Sequence, residues 1–171
     1  MTITIRTATA ADNELIRELG VRIFTDTFGP ANAPQNMRAY LDTAFSPERV
    51  RAEVADPAST HLIAEADGTA VGYARLRAGD GPPEAAAERP AELVRLYVER
   101  AHQGRGVAAA LMQACLDHAR DAGHDVMYLG VWEHNPRAAA FYRKWGFEKV
   151  GEHSFMLGDD EQTDWLMRRC V

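Results

Sequence analysis

AHQGRGVAAALM, residues Ala101 to Met112, puts two glycines and an arginine where an amphipathic helix begins. Glycine is among the poorest helix formers, so its place at a helix start needs a physical reason. Either the glycines shape a tight turn through positive φ, or they bare the backbone so that an anion can rest on it. The flanks are easier to read. Glu92-Leu-Val-Arg-Leu-Tyr-Val98 reads as a strand upstream, and downstream the apolar positions 107, 108, 111, 112, 115, 116 and 119 trace one helical face until Gly123 ends it. Val126 to Trp132 follows, nearly all apolar, as suits a strand covered on both faces. Strand, crossover helix and strand in succession predict a parallel βαβ pair.

Around this centre the pattern predicts a mixed α/β fold. Ile3 to Thr7 reads as a strand, and Thr9-Ala-Ala-Asp12 is a capping box opening a helix through Leu15, Ile16, Leu19, Ile23 and Phe24. Gly29-Pro30 breaks the chain, an amphipathic stretch runs from about Pro34 to Phe45, and Ser46-Pro47 supplies cap and first-turn proline for a short third helix. The period then changes to two. His61 to Glu65 and Val71 to Leu76 flank Asp67-Gly68, a hairpin signal, so the sheet is at least partly antiparallel. Gly79 to Pro90 is rich in Gly, Pro and Glu and is expected to be a mobile surface loop. Asn135-Pro136 starts a last helix that Gly146 stops, and Phe147 to Phe155 and Thr163 to Arg168 give two closing strands.

With 171 residues, 46% hydrophobic and 26% charged, the chain suits one globular domain over residues 1–171. A formal net charge of −6, with no basic cluster longer than Arg168-Arg169, argues against nucleic acid and suits a cationic small partner. The start, MTITIRTATAAD, alternates like a strand and lacks the charged and apolar regions of a signal peptide. No apolar run reaches membrane-spanning length, and a cytoplasmic location is expected. Two cysteines, Cys115 and Cys170, and six scattered histidines form no ligand spacing, so no metal is expected.

The turn at Gln103 to Ala108 can now be weighed. A helix start leaves about four N–H groups unpaired and carries roughly half a positive charge, which favours a phosphate. A Cβ at Gly104 or Gly106 would hold that phosphate off the amides, and Arg105 can add a full charge. GxxxxGK[ST] is absent, which removes the P-loop enzymes. Gly104-Arg-Gly106-Val-Ala-Ala109 does fit a loosened dinucleotide pattern, with Glu133 posing as the ribose-binding acid. Against it, the first glycine lies well beyond the strand rather than in its first turn, and an antiparallel hairpin precedes the motif. The third reading is the pyrophosphate of coenzyme A.

Two segments carry a resemblance. LYVERAHQGRGVAAALM resembles the Q/R-x-x-G-x-G/A motif of the GNAT superfamily of acetyl-CoA-dependent N-acetyltransferases, with Gln103, Gly106 and Ala108 at its defined positions. Asn135-Pro-Arg-Ala-Ala-Ala-Phe-Tyr142-Arg-Lys-Trp-Gly-Phe147 looks like the family's N-x-x-A-x-x-F-Y-x-K-x-G-F segment, one strand further on. The pair runs from Leu96 to Phe147, a little under a third of the chain. GEHSFMLGDDEQTDWLM, VWEHN and FTDTF look more narrowly like the PaiA-type branch, which implies polyamine acetylation.

The resemblance implies a mostly antiparallel twisted sheet with the parallel pair at its centre, acetyl-CoA as acetyl donor, and direct transfer to a primary amine. It assigns cofactor contacts to Leu96, Tyr97 and Val98 of the strand, to Gln103, Gly104, Arg105, Gly106, Val107, Ala108 and Ala109 of the turn, and to Asn135 and Tyr142 of the later helix. An amine of pKa about 10.4 needs help in losing a proton at neutral pH, and Glu133 and Glu92 are the candidate bases. A thiol of pKa about 8.5 leaves more readily when protonated, and Tyr142 is the candidate acid, though an ordinary tyrosine near 10 must be tuned or act in concert with C–S cleavage. Asn135 and Tyr142 are two helical turns apart, within about 20° on one face. Asn135 also suits an N-cap, Tyr142 a core aromatic, and both glutamates a solvated surface. The acidic stretch Asp159-Asp160-Glu161, Glu84, Glu88 and Asp26 can attract a polycation or simply solubilise the protein. The alternatives are a protein amino-terminal or lysine acetyltransferase and a non-catalytic acetyl-CoA sensor; a homodimer is left open.

Overall fold

The computed structural model describes residues 1–171. In chain order the elements are β1 (Ile3–Thr7), α1 (Asn13–Phe28), α2 (Pro34–Ala44), α3 (Pro47–Ala55), β2 (Ser59–Ala66), β3 (Thr69–Ala78), β4 (Pro90–Val98), α4 (Val107–Asp121), β5 (Val126–Trp132), α5 (Pro136–Lys144), β6 (Glu148–Leu157) and β7 (Asp160–Cys170). The seven strands form one sheet in the order β1-β2-β3-β4-β5-β7-β6, antiparallel throughout except for the β4–β5 pair. The expected βαβ unit therefore sits at the centre of a mostly antiparallel sheet.

Local chemistry sets the boundaries. The Thr9 capping box forms, heading a short turn of 3-10 helix at Ala10–Asp12 before α1 begins. Ser46 Oγ accepts from Arg49 N–H at 3.1 Å, closing the start of α3. Asp67 and Gly68 both have positive φ, 49° and 80°, the backbone twist that a two-residue hairpin requires. The Gly79–Pro90 connection differs from the expectation of mobility. Asp125 accepts from the Glu88 and Arg89 N–H groups at 2.9 and 3.0 Å, and Arg168 Nη1 donates to the Ala85 carbonyl at 2.8 Å. Ala85 is buried against Tyr128 and Leu166, so polar contacts from distant residues pin a segment whose own composition favours freedom.

Each sheet face is covered. On one side α4 and α5 pack Leu111, Met112, Cys115, Leu116 and Tyr142 against Leu62, Ala74, Leu93 and Leu129. On the other, α1, α2 and α3 bury Ile16, Leu19, Phe24, Met37, Phe45 and Val50 with Ile63, Tyr73 and Leu157. No helix is long and apolar enough to cross a membrane.

The centre of the sheet is open. β4 and β5 pair only at Pro90↔Val126, Ala91↔Met127 and Glu92↔Tyr128, and then part. The cause lies on the other edge of β4: Arg75 pairs with Arg95 while Leu76 pairs with Leu93, so Val94 is an extra residue, a bulge that bends the strand away from β5.

Candidate active site

The parting of β4 and β5 opens a cleft of about 1490 Å³. Pairing geometry decides which backbone groups face it. Glu99 N–H donates to Val71 O, so Val98 and Leu96 stand at the positions of the β3–β4 ladder that do not bond across it. Their own N–H and C=O groups point toward β5, where no strand pairs with them. Val98 O is taken by Gln103 Nε2 at 3.0 Å, while the Leu96 and Val98 N–H groups stay open. Tyr97, the third strand residue singled out from sequence, spends its backbone on the ladder with Tyr73 and turns its ring to the α1–α3 side.

The turn after β4 holds both properties suggested for its glycines. Gly104 and Gly106 have φ of +76° and +90°, and a Cβ on Gly104 would meet nothing within 4 Å. The glycines are thus demanded by backbone conformation. At the same time the N–H groups of Gly104, Arg105, Gly106, Val107, Ala108 and Ala109 have no partner in the protein; the first helical bond of α4 runs from Ala110 N–H to Gly106 O. Gln103 differs, since its N–H donates to Arg100 O and its side chain braces the turn, bonding Val98 O and accepting from Arg137 Nη1 at 2.6 Å. Val107 is fully buried and anchors α4 in the core, so only its backbone is free. A diphosphate fits this cradle, which offers a run of unpaired donors at a helix start with no side chain in the way.

Asn135 caps α5, its Oδ1 accepting from Ala138 N–H at 3.2 Å, and it lines the cleft together with Tyr142. The two helical turns between them do set both on one face. Tyr142 is 9% exposed, packs edge-on against Phe141 and Phe147, and makes no hydrogen bond through its hydroxyl to the protein. Burial pushes its phenol well above the ordinary tyrosine range, with the neighbouring Cys115 adding to the shift.

The two candidate glutamates are not brought together. Glu92 lines the cleft at its closed base and is ion-paired with Arg77. Glu133 lies outside the cleft lining, 3.7 Å from His134 in an exposed turn. Arg105 is exposed and without an ion-pair partner.

Several cleft groups escape a reading by motif. Glu53, 5% exposed, holds Arg75 at 2.9 Å, Arg95 at 2.6 Å and Arg49 at 3.1 Å. Burial raises its carboxyl, and the arginines more than offset that, leaving it lowered. Phe28, Tyr40, Trp132 and Phe155 ring the α1–α2 side, with Phe28–Trp132 and Tyr40–Phe155 centroids 6.0 and 5.4 Å apart. Asp164 and His153 sit beside them. The available signal was a charged residue inside a strand, which needs a reason when the strand is covered.

Comparison with known proteins agrees with the geometry. Residues 20–147 match the family model described as the acetyltransferase (GNAT) family. An uncharacterised N-acetyltransferase of Lactobacillus delbrueckii subsp. lactis is 34% identical over 148 residues, covering 86% of each chain. The N-alpha-acetyltransferase RimI of Mycobacterium tuberculosis is 33% identical over 150 residues, 87% of this chain and 80% of the relative. Among solved structures, the PaiA N-acetyltransferase of Thermoplasma acidophilum in complex with coenzyme A superposes with a TM-score of 0.79 at 20% identity, covering 100% of both chains, and shares the fold. The chain belongs to the GNAT family and is an acetyl-CoA-dependent N-acetyltransferase.

Proposed function

We propose that acetyl-CoA enters from the α4–α5 side of the cleft and a cationic primary amine from the α1–α2 side, with a polyamine as first candidate. The observation that carries this reading is the contrast between the two mouths. Gly104, Arg137 and Lys144 line the first, next to the open amides of the turn, which suits a diphosphate. The second is lined by Phe28, Tyr40, Trp132 and Phe155 with Asp26, Asp159 and Asp164, which suits an ammonium on an aliphatic stem.

In this reading the amides from Gly104 to Ala109 hold the diphosphate, and the open Leu96 and Val98 N–H groups hold the pantetheine arm and the thioester oxygen, where negative charge develops. Asn135 and Tyr142 close the cofactor side. Acetyl-CoA supplies an acetyl group activated as a thioester. Tyr142 supplies a proton to the departing sulfur in concert with C–S cleavage. Its upward shift makes a separate proton-transfer step costlier than for a free tyrosine, so the concerted course is favoured.

A second reading is favoured by the RimI relative, named for N-alpha acetylation: the amine is a protein amino terminus, and the aromatic mouth receives the first side chain. Thiol release from acetyl-CoA, assayed with spermidine, amino acids, aminoglycosides, an alanine-led peptide and a lysine peptide, separates these. Fastest release with spermidine supports the first reading, and fastest release with the alanine-led peptide the second. Tight acetyl-CoA binding without release for any amine overturns both in favour of a sensor.

A further inference from the structure

We propose that Asp164 takes the proton from the incoming ammonium and that His153 passes it to solvent, an assignment that rests on the acetyl-transfer reading above. Five carboxylates bear on the choice. Glu53 and Glu92 line the cleft but are bound by arginines. Asp26 and Asp159 are exposed at its rim. Asp164 alone lines the cleft with its side chain largely withdrawn from water, 14% exposed, and with no protein donor hydrogen-bonded to either oxygen.

The sheet builds the pair. Asp164 on β7 stands opposite His153 on β6 and Trp132 on β5, and His153 Nε2 lies 3.8 Å from Asp164 Oδ2. The imidazole is 47% exposed, so it connects a withdrawn carboxylate to bulk water. Gly130 of β5 makes the space: a Cβ there would sit 2.9 Å from His153 Cε1 and 3.3 Å from Asp164 Oδ2. A glycine in the middle of a central strand is otherwise a weakness, and here it lets the ring and the carboxylate meet over the strand at the cleft wall.

The groups facing Asp164 are few. β6 contributes His153, and α2 contributes the Tyr40 phenol, which feels the Asp164 charge; β5 offers only Gly130 and Trp132. Beyond Tyr40 lie Glu53 of α3 and Arg95 of β4, bound to each other. Burial raises the Asp164 carboxyl above its ordinary value and His153 partly opposes this, and the net rise strengthens it as a base.

The proton count closes. The ammonium gives one proton to Asp164, which hands it through His153 to water. The freed lone pair forms the C–N bond, and the C–S bond breaks with its electron pair leaving on sulfur. Tyr142 gives its proton to that sulfur, and the second proton lost by the nitrogen restores the phenol. One amide, one thiol and one released proton result.

The test is kcat/KM against pH from 6 to 10.5, read as thiol release with spermidine and with an alanine-led peptide, for the wild type, Asp164→Asn and His153→Gln. Acetyl-CoA affinity by calorimetry and melting temperature are measured alongside. Asp164→Asn is expected to lose about 100-fold at pH 7, with acetyl-CoA affinity unchanged and the gap narrowing as pH approaches about 10.4, where half of a primary amine is already free in solution. His153→Gln is expected to lose less and to recover with added imidazole. A wild-type rate at pH 7, or an equal loss at every pH, overturns the assignment for Asp164. Should Asp164→Asn not fold, His153→Gln decides alone: an unchanged rate without imidazole response overturns the pair. A wild type that binds acetyl-CoA yet releases thiol with no amine instead overturns acetyl transfer itself, and this proposal with it.

Discussion

Gly106 shows how one position serves shape and chemistry together. Its φ of +90° excludes a side chain on conformational grounds, and the N–H groups that this geometry turns outward are the ones left without a protein partner. Gly106→Asp adds backbone strain of about 1–2 kcal/mol and puts a carboxylate where a diphosphate is expected. Calorimetry should show acetyl-CoA affinity down at least 100-fold in a protein that still folds; retained affinity would remove the turn from the binding site. Tyr142 offers a complementary case. Its hydroxyl makes no protein hydrogen bond, so Tyr142→Phe should leave the melting temperature and acetyl-CoA affinity nearly unchanged while turnover falls about 10- to 100-fold. An unchanged turnover number would end its role as acid. Both positions were legible in the sequence because their spacing within the turn and along one helix face is local information.

Elements were legible where their own residues decide them. The hairpin at Asp67-Gly68, the caps at Thr9, Ser46 and Asn135, and the single apolar face of α4 each appear in the structure as their patterns imply. The parting of β4 from β5 was not legible, because the bulge at Val94 is set by register against β3. Nor was the anchoring of Gly79–Pro90, which depends on Asp125 and Arg168 far along the chain. Two expectations concern these joints. Glu53 is the sole carboxylate binding the buried guanidiniums of Arg75 and Arg95 between α3 and the sheet. Glu53→Gln should therefore cost roughly 3–5 kcal/mol in urea unfolding, and a loss below about 1 kcal/mol would mean that the arginines find water instead. At the β1–α1 joint, Arg6 grips Asp12 through both nitrogens at 2.8 and 2.9 Å, and Thr9 N–H adds a third donor at 2.8 Å. These contacts, the Arg6 hydrogen bonds foremost, hold the carboxyl down to about 2. Because the folded value lies below the unfolded one near 3.9, the stabilisation is complete above that pH and is lost as pH falls toward about 2. Melting temperature should fall across this window more steeply in the wild type than in Asp12→Asn, which starts lower at pH 7; equal slopes would show that the contact adds nothing.

At the level of the molecule, a net charge of −6 masks an uneven distribution. Arg137, Lys144 and the open amides line the α4–α5 side of the cleft, and Asp26, Asp159 and Asp164 with four aromatic rings line the other, where Arg49, Arg75, Arg77 and Arg95 are each paired with Glu53 or Glu92. Composition reported only the sum. Glu92 and Glu133 were visible as acids near strand ends, yet pairing with Arg77 engages the first and the turn after β5 carries the second away from the cleft. Asp164 and His153 are eleven residues apart in the chain and become neighbours only through the β6–β7 register, which no motif encodes. The residues proposed for the acetyl donor were thus open to a local reading, and those proposed for the acceptor came into view only with the fold. Every role proposed for the cleft depends on the grip of the turn at Gly104 to Ala109, so a crystal structure at saturating acetyl-CoA is the decisive measurement. Diphosphate oxygens should lie about 2.7–3.2 Å from these N–H nitrogens, with the thioester running along the open edge of β4. Acetyl-CoA seated elsewhere, with the turn amides bound only by water, would overturn the proposed site.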